Sequence, residues 1–272
     1  MGIRSRSGRL CFRLNSYEER HPVKVFRTEV GDLSDIGRRR KHNEDYYGFF
    51  HLGDDEVLAI VADGMGGHAS GEIASRMAVE IIREVYSKER MDQNVLDALK
   101  SAFEIANFSI LQKSLEQKEL NGMGTTATAL VIKDDQIFVG HMGDSRAYLF
   151  RDSAITQLTK DHSMVNRMVE QGLLSKEEAN HHPQRNVIYK ALGVSRDADL
   201  ELIGPLPVYV NDIYVLCSDG LTNLVTDEEM SKIVKKEKPQ TACERLIQLA
   251  NKRGGDDNIT VQIVKVTKEG TD

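Results

Sequence analysis

Four aspartates stand within two residues of a glycine where strand-like apolar runs of the sequence begin or end: Asp63, Asp144, Asp219 and Asp257. A buried carboxylate is costly unless a cation or hydrogen bonds compensate its desolvation. Each aspartate alone is also explained by a turn, because Asp and Gly are common turn formers. If the strand ends converge, however, the carboxylates repel one another unless cations lie between them. Oxygen ligands of this kind suit magnesium or manganese, although convergence does not follow from the spacing.

The elements that must position these aspartates can be located from periodicity. Residues 57–62 form a continuous apolar run typical of a buried strand. From Thr125, short β-rich runs follow one another with too little sequence between them for helical crossovers, which indicates antiparallel pairing. Apolar residues recur at helical spacing in four segments, at about 70–90, 95–110, 227–235 and 239–251. This grouping predicts an α+β fold with layered antiparallel sheets.

Composition restricts the class of protein. The chain has 272 residues, of which 40% are hydrophobic and 29% charged, an ordinary globular mixture. Its net charge of −6 argues against general nucleic-acid binding. The longest apolar runs are far shorter than the roughly 20 residues of a membrane-spanning helix, so no span is expected. Three separated cysteines without a CxxC pattern favour a reducing compartment, and we expect a cytoplasmic protein.

The N-terminal segment differs from the remainder. The first 27 residues hold seven Lys or Arg against two acids, without the apolar stretch of a signal peptide. We therefore expect a basic, disordered extension over 1–26 and one domain over 27–268.

Seven motifs, taken in order, resemble one known family. They are SDIGRRRKHNED, VADGMGGH, GTTATALVI, GHMGDSRAYL, LTKDHS, CSDGLTN and GGDDNITV. Together they are similar to the metal-dependent protein serine/threonine phosphatases of the 2C (PPM) family, in their bacterial form. The resemblance covers about 27–266. It implies a four-layer αββα sandwich, in which two central antiparallel β-sheets are flanked by helix pairs.

The resemblance also implies a centre with two Mn²⁺ or Mg²⁺ ions at one edge of the sandwich. Asp63 matches the ligand that bridges both ions, and the Gly64 carbonyl matches a ligand of one. The ligands of the other ion match Asp219 and Asp257. Glu44 and Asp45 resemble the acidic pair that acts on the ions through water. Arg40 matches the catalytic, phosphate-binding arginine, whose guanidinium fork fits two phosphate oxygens; the neighbouring Arg38 and Arg39 are expected to be solvated loop charges.

The sequence departs from the family pattern at two positions. Met65 stands where eukaryotic members carry the histidine that acts as general acid. His68 matches a histidine of bacterial members and is the candidate proton donor, although a structural or helix-capping role explains it equally well. A third, weaker metal site matches Asp144. There, Asn223 replaces an additional acid, so we expect lower affinity for this ion, and the Asn223 amide oxygen can still coordinate a metal.

The segment 162–192 corresponds to the flap of the family, which lies beside the active site. Within it, His162 is expected to be a loop histidine rather than a catalytic one. The adjacent pair His181–His182 is a poor zinc site, because neighbouring residues rarely aim both rings at one ion. Ser145 and Arg146 are expected to be structural.

The resemblance implies a cytosolic signalling enzyme. We expect it to dephosphorylate phosphoserine and phosphothreonine in proteins, including a Ser/Thr kinase that it opposes, and to be a monomer. One alternative is a catalytically silent module that binds phosphoproteins. The presence of Arg40 and of all the candidate metal ligands counts against this alternative, because a protein without activity would be free to lose them. A hydrolase of nucleotides or other small phosphates is the other alternative, but the sequence lacks a Walker-type loop.

Overall fold

The computed structural model describes residues 26–66, 70–180 and 182–268. The candidate acid His68, the histidine His181 and residues 1–25 of the extension expected over 1–26 lie outside the described residues.

Eleven strands in the described part of the chain form two antiparallel sheets. They are β1 (Phe26–Asp35), β2 (Asp45–His51), β3 (Glu56–Met65), β4 (Gly124–Thr125), β5 (Ala127–Lys133), β6 (Gln136–Met142), β7 (Arg146–Arg151), β8 (Ala154–Gln157), β9 (Glu201–Pro207), β10 (Ile213–Cys217) and β11 (Ile259–Lys268). One sheet has the order β1-β11-β10-β7-β8. The other has the order β2-β3-β5-β6-β9, with the short β4 also paired to β3. Every strand pair of these sheets is antiparallel, which confirms the pairing predicted from the sequence.

Helices cover both outer faces of the two sheets. The helices are α1 (Ser70–Glu89), α2 (Val95–Glu116), α3 (Met164–Glu170), α4 (Lys176–Asn180), α5 (Asp219–Thr222), α6 (Asp227–Val234) and α7 (Pro239–Lys252). Helices α1 and α2 share one buried apolar cluster with β3 and β5, whereas α6 and α7 share another with β10 and β11. A third cluster fills the space between the two sheets. The expected four-layer α+β sandwich is confirmed.

The burial of β3 follows from its place between these layers. Its residues from Glu56 to Ala62 are all buried, because α1 packs on one face and the second sheet on the other. The same position explains why the strand reads as continuous apolar sequence rather than as an alternating pattern. One buried acid, Glu56, accepts a hydrogen bond of 2.7 Å from Tyr86 on α1 and pairs with Arg90. The start of β3 is thereby fixed against the end of α1.

No helix in the described part of the chain is long and apolar enough to cross a membrane.

Candidate metal centre

The candidate acids of the sequence converge at one end of the sandwich. Asp45 and Asp63 lie directly opposite each other in the register of β2 and β3. Asp219 begins α5, two residues after the end of β10, and Asp257 lies two residues before β11. The charge of Asp63 interacts with those of Asp45, Asp219, Asp144 and Asp257, so these carboxylates share one site. The two sheets each contribute ligand candidates, and the site lies where their ends meet.

Asp45 ties the two sheets together within this site. Its Oδ2 accepts hydrogen bonds from the hydroxyl groups of Ser218, at 2.8 Å, and Thr260, at 2.6 Å. Ser218 follows β10 and Thr260 lies on β11, whereas Asp45 begins β2 of the other sheet. The Asp45 carboxylate is therefore held in one orientation from across the inter-sheet space.

The electrostatics of the cluster favour bound cations. Burial raises the pKa of Asp45 to about 7 and that of Asp219 to about 6, and it raises the pKa values of Asp63 and Asp144 well above the usual range. Desolvation is the main cause in each case, and the neighbouring carboxylates add repulsion. The pKa of Glu44 is also raised by burial. Divalent ions would reverse both effects by supplying opposite charge.

Three carboxylate oxygens of the cluster have no hydrogen-bond partner in the described part of the chain and are suited to ligate such ions. Among the buried side-chain oxygens of the described residues, Glu44 Oε1, Asp45 Oδ1 and Asp219 Oδ1 have no hydrogen-bond partner. Buried polar atoms are rarely left unpaired. Carboxylate and carbonyl oxygens are the ligands that Mg²⁺ and Mn²⁺ prefer. The residues present therefore fit the expected metals.

Close backbone approach explains the glycine that follows Asp63. A Cβ atom on Gly64 would lie 2.1 Å from the carbonyl oxygen of Gly71, on the first turn of α1, and 2.5 Å from that of Glu44. The Gly64 N–H donates to this Glu44 carbonyl at 3.1 Å, and the Ser75 hydroxyl donates to it at 2.6 Å. Glycine thus allows β3, α1 and the Glu44 backbone to meet beside the acids.

Arg40 reaches the edge of the cluster. Its Nη2 donates to Asp257 Oδ2 at 2.6 Å, while 47% of its side chain remains exposed. A guanidinium has five N–H donors, so the contact with Asp257 leaves others free for a phosphate that enters from solvent. In contrast, Arg39 is 73% exposed and lies 3.5 Å from Asp256, as expected for a solvated loop charge.

The third metal candidate lies on the turn between β6 and β7. Asp144 follows Gly143, which has a φ of +116°, a conformation that favours glycine. Asn223, at the position where an acid was expected, donates from Nδ2 to Asp219 Oδ2 at 3.1 Å. Its amide nitrogen therefore faces a ligand candidate, and this orientation weakens the case for Asn223 itself as a ligand.

Two positioning residues were not identified from the sequence. Asn258 accepts a hydrogen bond from the Glu44 N–H at 2.8 Å and donates to the carbonyls of Ile36 and His42, both at 3.0 Å. The Thr126 hydroxyl accepts from the Asp63 N–H at 2.9 Å and contacts the Ser145 hydroxyl at 2.8 Å. The sequence signal that pointed to them was their position inside two of the family motifs, since Asn258 lies in GGDDNITV and Thr126 in GTTATALVI. Spacing alone cannot show which backbone groups such side chains reach.

Arg146 forms its ion pair with Asp161, which is not one of the candidate metal ligands. It binds Asp161 through two nitrogens, with its Nη2 at 2.6 Å from Asp161 Oδ2. This pairing agrees with the structural role expected for Arg146.

Comparison with known proteins agrees with this geometry. The sequence profile described as Protein phosphatase 2C matches residues 37–255. The "Serine/threonine phosphatase stp" of Listeria monocytogenes serotype 4b (strain F2365) is 38% identical over 245 residues, which are 88% of this chain and 97% of that protein. The structure of the Mycobacterium tuberculosis serine/threonine phosphatase PstP/Ppp superposes with a TM-score of 0.81 and 34% identity, over 90% of this chain and 100% of that one.

A further solved structure carries metal. It is the catalytic domain of the serine threonine protein phosphatase PstP in complex with two manganese ions, with a TM-score of 0.78 and 33% identity, over 90% of this chain and 100% of that chain. The likeness extends over nearly the whole of each protein, as does the motif order of the sequence. The chain belongs to the protein phosphatase 2C family and is a metal-dependent protein serine/threonine phosphatase.

Proposed function

We propose that this phosphatase hydrolyses phosphoserine and phosphothreonine with two Mn²⁺ or Mg²⁺ ions held by Asp63, Gly64, Asp219 and Asp257, with Glu44 and Asp45 acting through water. The observation that carries the proposal is a cluster of desolvated carboxylates in which three buried oxygens have no partner in the described structure. Bound divalent ions supply positive charge and an activated water for attack on phosphorus. The P–O bond to the Ser or Thr side chain then breaks.

The chain's own residues bind and orient the reactants. Arg40 is the proposed phosphate-binding residue, and its half-exposed guanidinium, held by Asp257, supports this role. Its charge also offsets the negative phosphate at the rim of an acidic site. His68 is the proposed donor of the proton that the departing Ser or Thr oxygen requires.

A substrate panel tests this function. Metal-stripped protein should release phosphate from phosphothreonine and phosphoserine peptides only after Mn²⁺ or Mg²⁺ is added, and much more slowly from ATP. No release with either ion, from protein shown to be folded by circular dichroism, would favour the silent phosphoprotein-binding module. Preferred hydrolysis of ATP would favour the small-phosphate hydrolase.

Partners and location are part of the proposal. We propose a cytoplasmic monomer whose substrates include the Ser/Thr kinase that it opposes. The free, buried Cys217 and Cys243 support a reducing compartment. Light scattering of the purified protein tests the monomer, and dephosphorylation of an autophosphorylated kinase from the same cell tests the kinase.

A further inference from the structure

His162 makes a two-point contact with the residue before Asp144. Its backbone N–H donates to the Gly143 carbonyl at 2.7 Å, and its ring Nδ1 lies 3.1 Å from the Gly143 N–H, which donates to it. His162 is the first residue of the 162–192 flap segment, whereas Gly143 belongs to the turn that carries the third metal candidate. One histidine therefore joins the flap to this turn.

The surroundings of the ring keep it neutral and fixed. His162 is only 5% exposed, and its ring stacks on that of His141 with centroids 4.9 Å apart. The Tyr189 ring lies beside it at 5.9 Å. Desolvation lowers the pKa of His162 to about 4. The Nδ1 lone pair is thus available to the Gly143 N–H at neutral pH.

A second metal site is an alternative use of this histidine. His141, His162 and Glu201 have ligating atoms within 4.8 Å of one another. However, the two ring nitrogens of His141 contact Thr128 Oγ1 at 2.9 Å and the Lys160 carbonyl at 3.0 Å. Since Nδ1 of His162 accepts a hydrogen bond, the proton of the neutral ring resides on Nε2, which then cannot bind a metal. The hydrogen bonds therefore favour a structural contact between His162 and Gly143 over a metal site.

The same turn is fixed from its other side by hydroxyl groups. Ser145, next to Asp144, contacts the Thr126 hydroxyl, which in turn accepts a hydrogen bond from the Asp63 N–H. Asp144 thus lies between a serine contact on the β5 side and a histidine contact on the flap side. The flap-side contact depends on one side-chain atom, and it can be removed by substitution.

We propose that His162 is a positioning residue, whose Nδ1 holds the Gly143–Asp144 turn in the arrangement that lets Asp144 bind a cation. The inference rests on the proposed metal-dependent function and on the third, weaker metal site that the family resemblance assigns to Asp144. Removing the acceptor leaves the buried Gly143 N–H without a hydrogen-bond partner, which is unfavourable for the present position of the turn. Asp144 then binds its cation from a displaced turn.

Three substitutions separate positioning from packing. In His162→Asn, the side-chain oxygen is attached to Cγ, as Nδ1 is, and can accept the same hydrogen bond. His162→Gln has the same amide, but its oxygen lies one bond farther out. His162→Leu retains apolar volume without any acceptor.

The measurement is calorimetric titration of Mn²⁺ into the metal-stripped full chain, together with its thermal unfolding. We expect His162→Leu and His162→Gln to weaken the weakest Mn²⁺ binding step about tenfold, while tighter steps change less than twofold. We expect His162→Asn to stay within about threefold of the wild type.

Several results would overturn the inference. If Leu, Gln and Asn variants bind Mn²⁺ like the wild type and differ only in unfolding temperature, His162 has a packing role alone. If His162→Leu does not fold, the weakest Mn²⁺ binding step of His162→Gln is compared with that of His162→Asn, and equal affinities overturn the inference. A wild type that binds no Mn²⁺ overturns both this inference and the proposed function, whereas Mn²⁺ binding without phosphate release overturns the function only.

Discussion

At the scale of single residues, Asp63 combines a poor environment for a charge with a good one for a metal. Its carboxylate is desolvated and faces Asp45 across the β2–β3 ladder. The aspartates were visible in the sequence because each stands within two residues of a glycine at a strand end. Their convergence was not, since spacing along a chain does not show which strand ends meet.

Asp63→Asn should therefore separate stability from function. Without metal, the variant should melt a few °C higher than the wild type, because a neutral amide removes a cost of about 1.4 kcal/mol for each unit by which burial and the neighbouring acids raise the Asp63 pKa. Each kcal/mol shifts the melting temperature of a domain of this size by about 2–4 °C. With Mn²⁺, phosphate release should fall roughly a thousandfold, or about 4 kcal/mol. Calorimetry and a phosphate assay measure the two effects.

The matched control for this variant is Asp256→Asn. Asp256 is an exposed neighbour of the cluster, 65% accessible, and contacts only Arg39 among the salt bridges of the described residues. The Asp256→Asn variant should leave both the melting temperature and the rate of phosphate release unchanged. Near-normal turnover in Asp63→Asn would exclude Asp63 as a metal bridge.

Arg40→Lys tests the phosphate contact. Lysine keeps the charge but lacks the planar fork that can hold Asp257 and two phosphate oxygens together. We expect KM for a phosphothreonine peptide to rise about tenfold, with a smaller change in kcat, which corresponds to a loss of about 1.4 kcal/mol in binding. Steady-state kinetics of Arg40→Lys and the control Arg39→Lys provide the comparison, and equal effects in both would argue against a specific role for Arg40.

At the scale of elements, the long segments could be predicted and the short ones could not. The apolar stripe of α1 was visible at helical spacing, and the helix runs from Ser70 to Glu89. By contrast, β1 continues through Asp35 into the polar motif SDIGRRRKHNED, which shows no strand periodicity, because its pairing with β11 decides its length. Helix α5 has four residues and begins at Asp219, too short for any periodicity to show.

Gly64→Ala tests the close approach of β3 and α1. The added Cβ would overlap the Gly71 carbonyl, so we expect a loss of about 1–3 kcal/mol in unfolding free energy and a loss of Mn²⁺ binding as the two elements separate. Urea unfolding and Mn²⁺ titration measure these changes. The control is Gly53→Ala, since nothing lies within 4 Å of a Cβ at that position; equal behaviour of the two variants would contradict the steric argument.

At the scale of the whole molecule, the acids make stability depend on pH when metal is removed. The pKa of Asp45 is about 7 in the folded chain against an ordinary 3.8, so the folded state retains a proton that the unfolded state has lost. The free energy of unfolding must then fall as pH rises through this interval. His141 and His162, with lowered pKa values of about 3 and 4, act in the opposite direction, but only up to their ordinary value of 6.5.

We therefore expect the metal-free protein to lose stability between about pH 6.5 and 8, since the histidine contributions are complete there while the buried acids still release protons. Saturating Mn²⁺ should flatten this dependence. Thermal unfolding across the interval, in chelator and in Mn²⁺, measures it. A melting temperature that rises with pH in the chelator series would show that the acids are already charged without metal.

The pairing of the first strand with the last has a consequence for synthesis of the chain. β1 is an edge strand whose one sheet neighbour in the described structure is β11, and the Ser218–Asp45 hydrogen bond joins residues 173 positions apart. A ribosome must therefore release the chain through β11 before β1 is paired, and through Asp257 before that residue can join Asp63. Until then the nascent chain has only part of the proposed ligand set, so metal-dependent activity should not begin before this point of synthesis.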